Sequence, residues 1–405
     1  MIIPAEFDPS HPDLIWSDPY PVYEQMRSKC PVGWSDRRAG FWYLTRFADV
    51  RAALQDPDTF SSVHTRIPYI EDPLGGEIPL NTDPPLHALY RRVLAAPFSQ
   101  VAVRRHEPKL RSFARRLLED IARQERTEFI TSFAVPYPSS MFCFLMDVPE
   151  SELGTFLQWK DDIFVDRRPS ESAPAQRPEQ ALAAFTAAKL RIRDYYLELY
   201  QQRRGGDGDD LVTYLSTAVA DGGRPLSTDE VIGILSLLFI AGLDTVTSTI
   251  GLMMAYLAGH PEKRRELVER PGLIPSAVEE LLRFESIVAT GRLITRDCEV
   301  AGTPMKAGDR IMLMMGAADR DPAKFPDPDE VDFTRSPNPH LAFGGGPHRC
   351  LGSHLARLEL TIALEEILRA MPDFHITPGH DVLSHVGEIR GVDELPLTIG
   401  KPAHA

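Results

Sequence analysis

Residues 343–352 read FGGGPHRCLG, and this glycine-rich loop around Cys350 is the most informative stretch of the chain. Its three glycines relax the limits on φ and let the main chain approach something flat and bulky. A helix is predicted to begin near Leu351, so its free N–H groups and its dipole stabilise a thiolate at Cys350. Such a thiolate could be a nucleophile, a redox thiol or a metal ligand. Because no second cysteine lies nearby and no protease-type Cys–His pair is visible, a soft thiolate ligand to iron fits best.

The other three cysteines, Cys30, Cys143 and Cys298, match no zinc pattern and no disulfide framework. Cys143 lies in the apolar run MFCFL at residues 141–145, where we expect a buried, inert thiol. Reduced cysteines are typical of the cytoplasm. The cysteine pattern therefore predicts a cytoplasmic protein.

The composition is that of an ordinary globular protein, with 43% hydrophobic and 25% charged residues among 405. The formal net charge of −14 argues against nucleic acid as a partner. The first residues, MIIPAE, have no basic region and no long apolar core, so we do not expect a signal peptide or an anchor there. The most apolar stretch, residues 231–243, is too short to span a bilayer. We therefore expect a soluble chain with no membrane partner.

Basic residues are concentrated between residues 104 and 126, where eight Arg or Lys occur. Two interpretations stay open for this run. It is either a solvated helix face or a basic docking patch for an acidic partner.

The coarse pattern predicts a mainly α fold with small β-sheets. Helical periodicity dominates from about residue 86 to 284, and a last strong helix is predicted at 352–370. Residues 166–178 are predicted to form a loop between two helices. Strand-type runs occur at residues 40–45, 292–295 and 310–313 and in the tail after residue 374. Since the strand segments lie far apart in sequence, we expect one intertwined domain over residues 1–405.

A long buried helix is predicted to follow the capping box LSTDE at residues 226–230 and to run to about Ala258. Its apolar centre is interrupted by Asp244 and Thr245, and Gly242 weakens the ladder there. In one interpretation, Thr245 bonds to a carbonyl one turn back and Asp244 meets a surface arginine. In the other, a local bulge opens a polar notch through which protons are delivered.

The cysteine loop also resembles a known family signature. The pattern Phe343-x-x-Gly346-x-His348-x-Cys350-x-Gly352 is similar, at every defined position, to the haem-ligand signature of the cytochrome P450 family. Further motifs follow in family order over about residues 6–400. They are DPPLH at 83–87 with Arg91, AGLDT at 241–245, Glu280-x-x-Arg283, and Gly291-Arg292.

This resemblance implies a cytochrome P450 fold with a long central helix over haem b and the cysteine loop beneath it. Cys350 would be the proximal iron ligand, and Phe343 would shield its sulfur. The haem propionates would pair with basic side chains, namely His87, Arg91, Arg292 and His348. Asp244 and Thr245 would be catalytic and steer water and protons to dioxygen.

One departure from the family concerns the ion pair of Glu280 and Arg283. The family often supplies a third partner, an arginine, from the turn at residues 327–330, but Glu330 stands there in this chain. Arg335 could substitute, so the third partner stays open.

The substrate pocket is expected to be apolar, which favours a substrate of small to medium size. Its candidate residues are Ile78, Leu237, Ile240, Ala241, Val288 and Ile389. Thr290 and Tyr69 could supply a polar anchor. Each of these residues could equally be ordinary packing.

The expected activity is insertion of one oxygen atom of dioxygen into this organic substrate. No flavin or nicotinamide fingerprint is present, so electrons should come from an external ferredoxin and its NAD(P)H-dependent ferredoxin reductase. An acidic ferredoxin would suit a basic patch, near Arg91, Arg92, Arg104, Arg105 and Arg349. A peroxide-using haem-thiolate enzyme is the first alternative, against which the Asp244-Thr245 pair argues. A haem-based sensor or carrier is the second.

Overall fold

The fold is mainly α with small β-sheets, as the sequence predicts, in a computed structural model that describes residues 7–8, 18–67, 72, 76–163, 178–387 and 389–400. Tyr69, the first six residues and residues 166–177 of the predicted loop lie outside the described residues. The α-helices, numbered along the chain, are α1 Tyr20–Lys29, α2 Phe47–Gln55, α3 Leu86–Ala95, α4 Gln100–Arg104, α5 Glu107–Ile121, α6 Pro136–Met146, α7 Leu153–Ile163, α8 Pro178–Arg203, α9 Leu211–Thr217, α10 Thr228–Gly259, α11 Pro261–Glu269, α12 Ile274–Phe284, α13 Met315–Ala318 and α14 Ser353–Ala370. The strands are β1 Val32–Ser35, β2 Phe41–Leu44, β3 Phe60–Ser61, β4 Arg126–Glu128, β5 Ala289–Ile294, β6 Cys298–Val300, β7 Thr303–Met305, β8 Arg310–Met314, β9 Phe374–Ile376, β10 Leu383–His385, β11 Gly391–Glu394 and β12 Pro396–Ile399.

The largest sheet joins segments that lie far apart in the sequence. Its strand order is β1-β2-β8-β5-β3. β2 pairs in parallel with β8, so that Trp42 lies opposite Ile311, whereas the other pairs are antiparallel. Phe41 and Tyr43 of β2 are buried, and Trp42 between them is partly exposed, as the two-residue repeat of a strand requires. β5 carries Arg292, so this sheet also positions a predicted site residue.

The longest helix, α10, begins at the predicted capping box. The Ser227 hydroxyl accepts the Glu230 N–H at 3.2 Å, and the Glu230 carboxylate accepts the Ser227 N–H at 2.6 Å. The helix is regular through Gly242, so the structure holds no bulge there. A Cβ at Gly242 would meet the Phe142 ring at 3.2 Å, which shows that this glycine serves close packing against α6.

By length and composition, α10 could cross a membrane, so the expectation that the apolar stretch is too short is wrong. Here 72% of its most apolar window is buried inside the protein. Its N-terminal half packs in a core with α8, and its C-terminal half packs in a core with α5, α12 and α14. The core helix of a soluble protein has these same properties.

A buried ion-pair network connects α12 to the segment before the cysteine loop. Arg283 donates to both Glu280 carboxylate oxygens at 2.8 and 2.9 Å. Arg335 Nε donates to Glu280 Oε1 at 3.1 Å and is therefore the third partner. Glu330 contributes only its backbone carbonyl, which accepts from both arginines. The network anchors residues 319–338, from which the chain enters the cysteine loop.

Candidate functional site

A cavity of about 340 Å³ lies between α10 and the cysteine loop. One wall is a stripe of α10 that recurs every three or four residues, as the helix repeat requires. It consists of Leu238, Ala241, Gly242, Thr245, Val246 and Thr249. Phe343 and Cys350 from the loop form part of the opposite side, and Val288, Thr290 and Arg292 extend the lining. The predicted long helix and the predicted loop therefore bound one space.

The cysteine loop is held against α2 by close backbone packing. Gly346 has a φ of +63°, and a Cβ there would come within 2.1 Å of the Leu54 carbonyl oxygen. The sequence-based expectation that the glycines admit a bulky group is therefore wrong for Gly346, whose neighbour is the protein's own backbone. The Cys350 N–H donates to the Phe343 carbonyl at 2.8 Å, which closes the loop.

The Cys350 thiol is exposed to the cavity. Desolvation by the surrounding protein raises its pKa, whereas the Gly352 N–H and the guanidinium groups of Arg91, Arg349 and Arg357 oppose that rise. A metal ion that binds the sulfur displaces the thiol proton, because the thiolate is the ligand form. The cavity thus presents a soft ligand beside hydrogen-bond donors.

Basic side chains gather at one edge of the cavity. The His87 and His348 rings lie 4.0 Å apart, and burial together with neighbouring positive charge lowers their pKa values to about 4 and about 3. Arg292 is 4% exposed, and burial lowers its pKa to about 10. Its guanidinium donates to the Thr290 hydroxyl at 3.0 Å and the Gly291 carbonyl at 2.7 Å.

This edge fits the propionates of a haem. Among the ion pairs of the described residues, none contains Arg91, Arg292 or His348, and the buried Nε2 of His348 has no hydrogen-bond partner. Arg292 is a buried cation, which is costly unless an anion joins it, and His348 at its pKa of about 3 is a neutral ring with an unsatisfied nitrogen. With a thiol on the same cavity, the residues present match the donor set and the charge of haem b.

Thr245 and Asp244, the polar pair of α10, face different parts of the protein. Thr245 lines the cavity, and its hydroxyl donates to the Ala241 carbonyl at 2.9 Å, so the oxygen offers acceptor lone pairs to the cavity. Asp244 is buried, and its carboxylate lies 3.8 Å from the Lys160 ammonium on α7. The charged neighbour of Asp244 is thus a lysine, where the sequence suggested an arginine.

The predicted substrate-pocket residues fall into two groups. Ala241 and Val288 line the cavity. Ile240 is buried in the core with α8, because it lies one residue from Ala241 and is therefore rotated about 100° around the helix. The half-buried Leu237 is also outside the cavity lining, and its neighbour Leu238 lines the cavity instead.

The remaining two lie farther from Thr245. Ile78 packs over Gly233, about 18 Å along α10 from Thr245 at 1.5 Å per residue. The Ile389 backbone forms a bridge with Val288, but its side chain packs against the core. For Ile240 and Leu237, the sequence placed the wrong side of α10 toward the cavity. Ile78 and Ile389 lie in loops, where no helical repeat predicts which way a side chain faces.

Sequence reasoning missed Glu359, an acidic residue on the apolar face of α14. It is 4% exposed, lines the cavity and takes part in no ion pair among the described residues. Burial raises its pKa to about 8. A signal was available, because Glu359 follows Leu355 and Ala356 at helical spacing and stands between two leucines.

We expect Glu359→Gln to stabilise the protein, and more so at higher pH. Between the ordinary pKa of 4.5 and the folded value of about 8, the folded state binds more protons than the unfolded state. The contribution of Glu359 to stability therefore falls as pH rises through this window, by about 2 kcal/mol between about pH 6 and about pH 8. Urea unfolding of wild type and variant at both pH values measures the difference. Glu394→Gln, at an exposed position, is the control, and a gain that does not change with pH would contradict the expectation.

Comparison with known proteins identifies the family. The family described as cytochrome P450 matches residues 31–270 and 272–384. A probable cytochrome P450 127A1 from Sinorhizobium fredii is 35% identical over 363 residues, covering 89% of this chain and 83% of that protein. The 20-oxo-5-O-mycaminosyltylactone 23-monooxygenase of Streptomyces fradiae is 34% identical, covering 93% and 88%. The crystal structure of CYP109E1 from Bacillus megaterium in complex with testosterone has a TM-score of 0.86 at 30% identity, covering 95% of this chain and 98% of that one.

The match extends over nearly the whole chain, and the cavity has the thiol and the basic edge that a haem requires. Several relatives that match most of the chain are named as monooxygenases or hydroxylases. The chain therefore belongs to the cytochrome P450 family and is a haem b-binding monooxygenase.

Proposed function

We propose that this monooxygenase inserts one oxygen atom of dioxygen into a small-to-medium apolar molecule, at a haem b whose iron is bound by Cys350. The observation that carries the proposal is that the Cys350 thiol, the Thr245 face of α10 and a basic edge all border the same cavity. When bound, the haem supplies the oxidising chemistry. His87, Arg91, Arg292 and His348 hold its propionates, and Phe343 shields the sulfur.

The role we assign to Thr245 is to hold a water at the cavity wall. Its hydroxyl proton is engaged by the Ala241 carbonyl, so the Thr245 oxygen accepts a hydrogen bond from that water and orients it. The water then moves a proton toward dioxygen. Asp244 and Lys160 form the buried charged pair that links this position to the solvent side of α7.

The proposed substrate is apolar because the cavity is lined mainly by aliphatic and aromatic side chains. Thr290 and Arg292 are polar exceptions at one edge. The relative crystallised with testosterone supports a rigid apolar substrate of comparable size. A screen of small hydrophobes for a low-to-high-spin shift of the haem band tests the proposal, and a pocket that responds only to charged molecules would overturn it.

Electrons are proposed to come from an acidic ferredoxin and its NAD(P)H-dependent reductase in the cytoplasm. Four of the eight cations of the basic run at 104–126 are already paired: Arg111 with Glu107, Glu365 and Glu366, Arg115 with Glu366, Arg116 with Glu150, and Arg123 with Glu119. Arg104, Arg105 and Arg349 belong to no ion pair of the described residues, and the exposed Val101 lies one turn from Arg104. Arg92 of the predicted patch pairs with Asp221, and Arg91 is assigned to the propionates, so the cations left for docking are these three.

We expect reduction by an acidic ferredoxin to slow as ionic strength rises, because the Debye length is about 8 Å at physiological salt. Arg104→Glu or Arg105→Glu should slow it further. Arg123→Glu changes the net charge equally but removes a cation that is already paired, so it is the matched control. Stopped-flow reduction at two salt concentrations measures the rates. Equal effects of the Arg104 and Arg123 variants would mean that the run is only a solvated face.

A further inference from the structure

An arginine on α14 stacks on the aromatic ring of the cysteine loop. The Arg357 guanidinium lies 4.3 Å from the centroid of the Phe343 ring. It also donates to both carboxylate oxygens of Glu279 on α12, at 2.6 and 2.9 Å. The two side chains are 28% and 31% exposed, so the pair lies at the boundary of the protein. This geometry fixes one positive and one negative charge behind the loop.

A histidine completes the support of Glu279. The His340 Nδ1 accepts the Ala342 N–H at 3.3 Å, which leaves the proton on Nε2. That N–H donates to Glu279 Oε2 at 3.1 Å. Burial alone would raise the pKa of Glu279, but the hydrogen bonds from His340 and Arg357 lower it to about 2. Glu279 is therefore a carboxylate at every pH at which the protein is used.

Arg357 places its charge beside Cys350, because its guanidinium stacks on Phe343, and the Phe343 carbonyl accepts the Cys350 N–H at 2.8 Å. A positive charge at this place favours negative charge on the sulfur. Glu279 partly cancels this effect, because its carboxylate is in contact with the same guanidinium.

We propose that the Arg357–Glu279 pair sets how readily the haem iron is reduced, with both residues acting through the charge behind the thiolate. The inference rests on the proposed role of Cys350 as iron ligand. Reduction adds one electron from an external donor and so adds one negative charge to the site. A cation beside the sulfur stabilises the reduced state, and a carboxylate destabilises it. Arg357 raises the reduction potential and Glu279 lowers it.

The test is a spectroelectrochemical titration of the purified haem protein, which measures the midpoint potential without turnover. Glu279→Gln should raise the potential and Arg357→Gln should lower it, each by a threefold to tenfold change in the reduction equilibrium, or about 30 to 60 mV. Arg357→Lys keeps the charge and should stay near wild type. The double variant Glu279→Gln with Arg357→Gln should also return toward wild type.

The exposed pair Lys306–Asp297 supplies the matched control, since Asp297→Asn and Lys306→Gln remove the same charges far out in solvent. Shifts of the same sign for Glu279→Gln and Arg357→Gln, or control shifts of equal size, overturn the proposal. If Arg357→Gln fails to fold, the sign found for Glu279→Gln decides. A wild-type protein whose carbon monoxide complex has no thiolate spectrum refutes the role of Cys350 instead, so the two failures are distinguishable.

Discussion

We expect Cys350→His to lose the thiolate signature of the protein completely. The wild-type protein, reduced and exposed to carbon monoxide, should give the strongly red-shifted Soret band of a thiolate complex. Histidine cannot donate electron density as a thiolate does, so the variant should resemble a haem protein with a nitrogen ligand. Monooxygenase activity should disappear with the band, because thiolate donation favours cleavage of the dioxygen bond. Absorption spectra of the two proteins and a product assay measure both effects.

Cys143→Ala is the control for this experiment. Cys143 is 1% exposed in a core with α8 and the first half of α10, and burial raises its thiol pKa to about 11. It is therefore a neutral thiol, and its removal should keep the red-shifted band. A wild-type spectrum like that of a histidine-ligated globin would contradict the assignment of Cys350.

We expect Thr245→Ala to separate the consumption of reductant from the formation of product. Without the Thr245 oxygen, the water loses the acceptor that orients it, so it no longer directs protons to dioxygen. Dioxygen should then be reduced by two electrons and two protons and be released as hydrogen peroxide. With redox partners present, product formed per NAD(P)H consumed should fall by about tenfold, and peroxide should rise in proportion. Reductant, peroxide and product are measured in one assay.

Thr247→Ala is the matched control, because the Thr247 hydroxyl also donates to a carbonyl one turn back, that of Leu243 at 3.3 Å. Thr247 does not line the cavity. It should leave the ratio of product to reductant unchanged. Asp244→Asn should instead slow overall turnover, since it weakens the charged pair with Lys160. Haem content should stay the same in these variants. An intact ratio in Thr245→Ala would make Thr245 a structural residue.

Much of the fold could be predicted because its signals are local. The capping box at Ser227 and Glu230 is a contact within one turn, so it fixed the start of α10 correctly. The regular helix at Gly242 was harder to predict, because the ring of Phe142 that explains this glycine comes from another helix. A contact between distant segments leaves no periodic trace in the sequence.

The same difference between local and distant contacts applies to the site. The signature around Cys350 predicted the loop and its position beside the cavity, because its residues lie within one short segment. Ile240 was assigned to the pocket, although the turn of α10 directs it into the core. The residue that shares the cavity face with Thr245 is Leu238, seven residues earlier. The cations at 104–126 look free in sequence, but their carboxylate partners Glu150, Glu365 and Glu366 lie on other elements. Pairing of this kind depends on tertiary structure.

The parallel pairing of β2 with β8 has a consequence for synthesis. Residues 41–44 leave the ribosome long before residues 310–314 exist, and at about 5–20 residues per second the delay is tens of seconds. During that time β1 and β2 can form their hairpin, but one edge of β2 has unpaired N–H and C=O groups. The nascent chain therefore carries an open strand edge until most of the helices have been made. Because the paired strands β2 and β8 lie far apart in the sequence, this sheet closes late in folding.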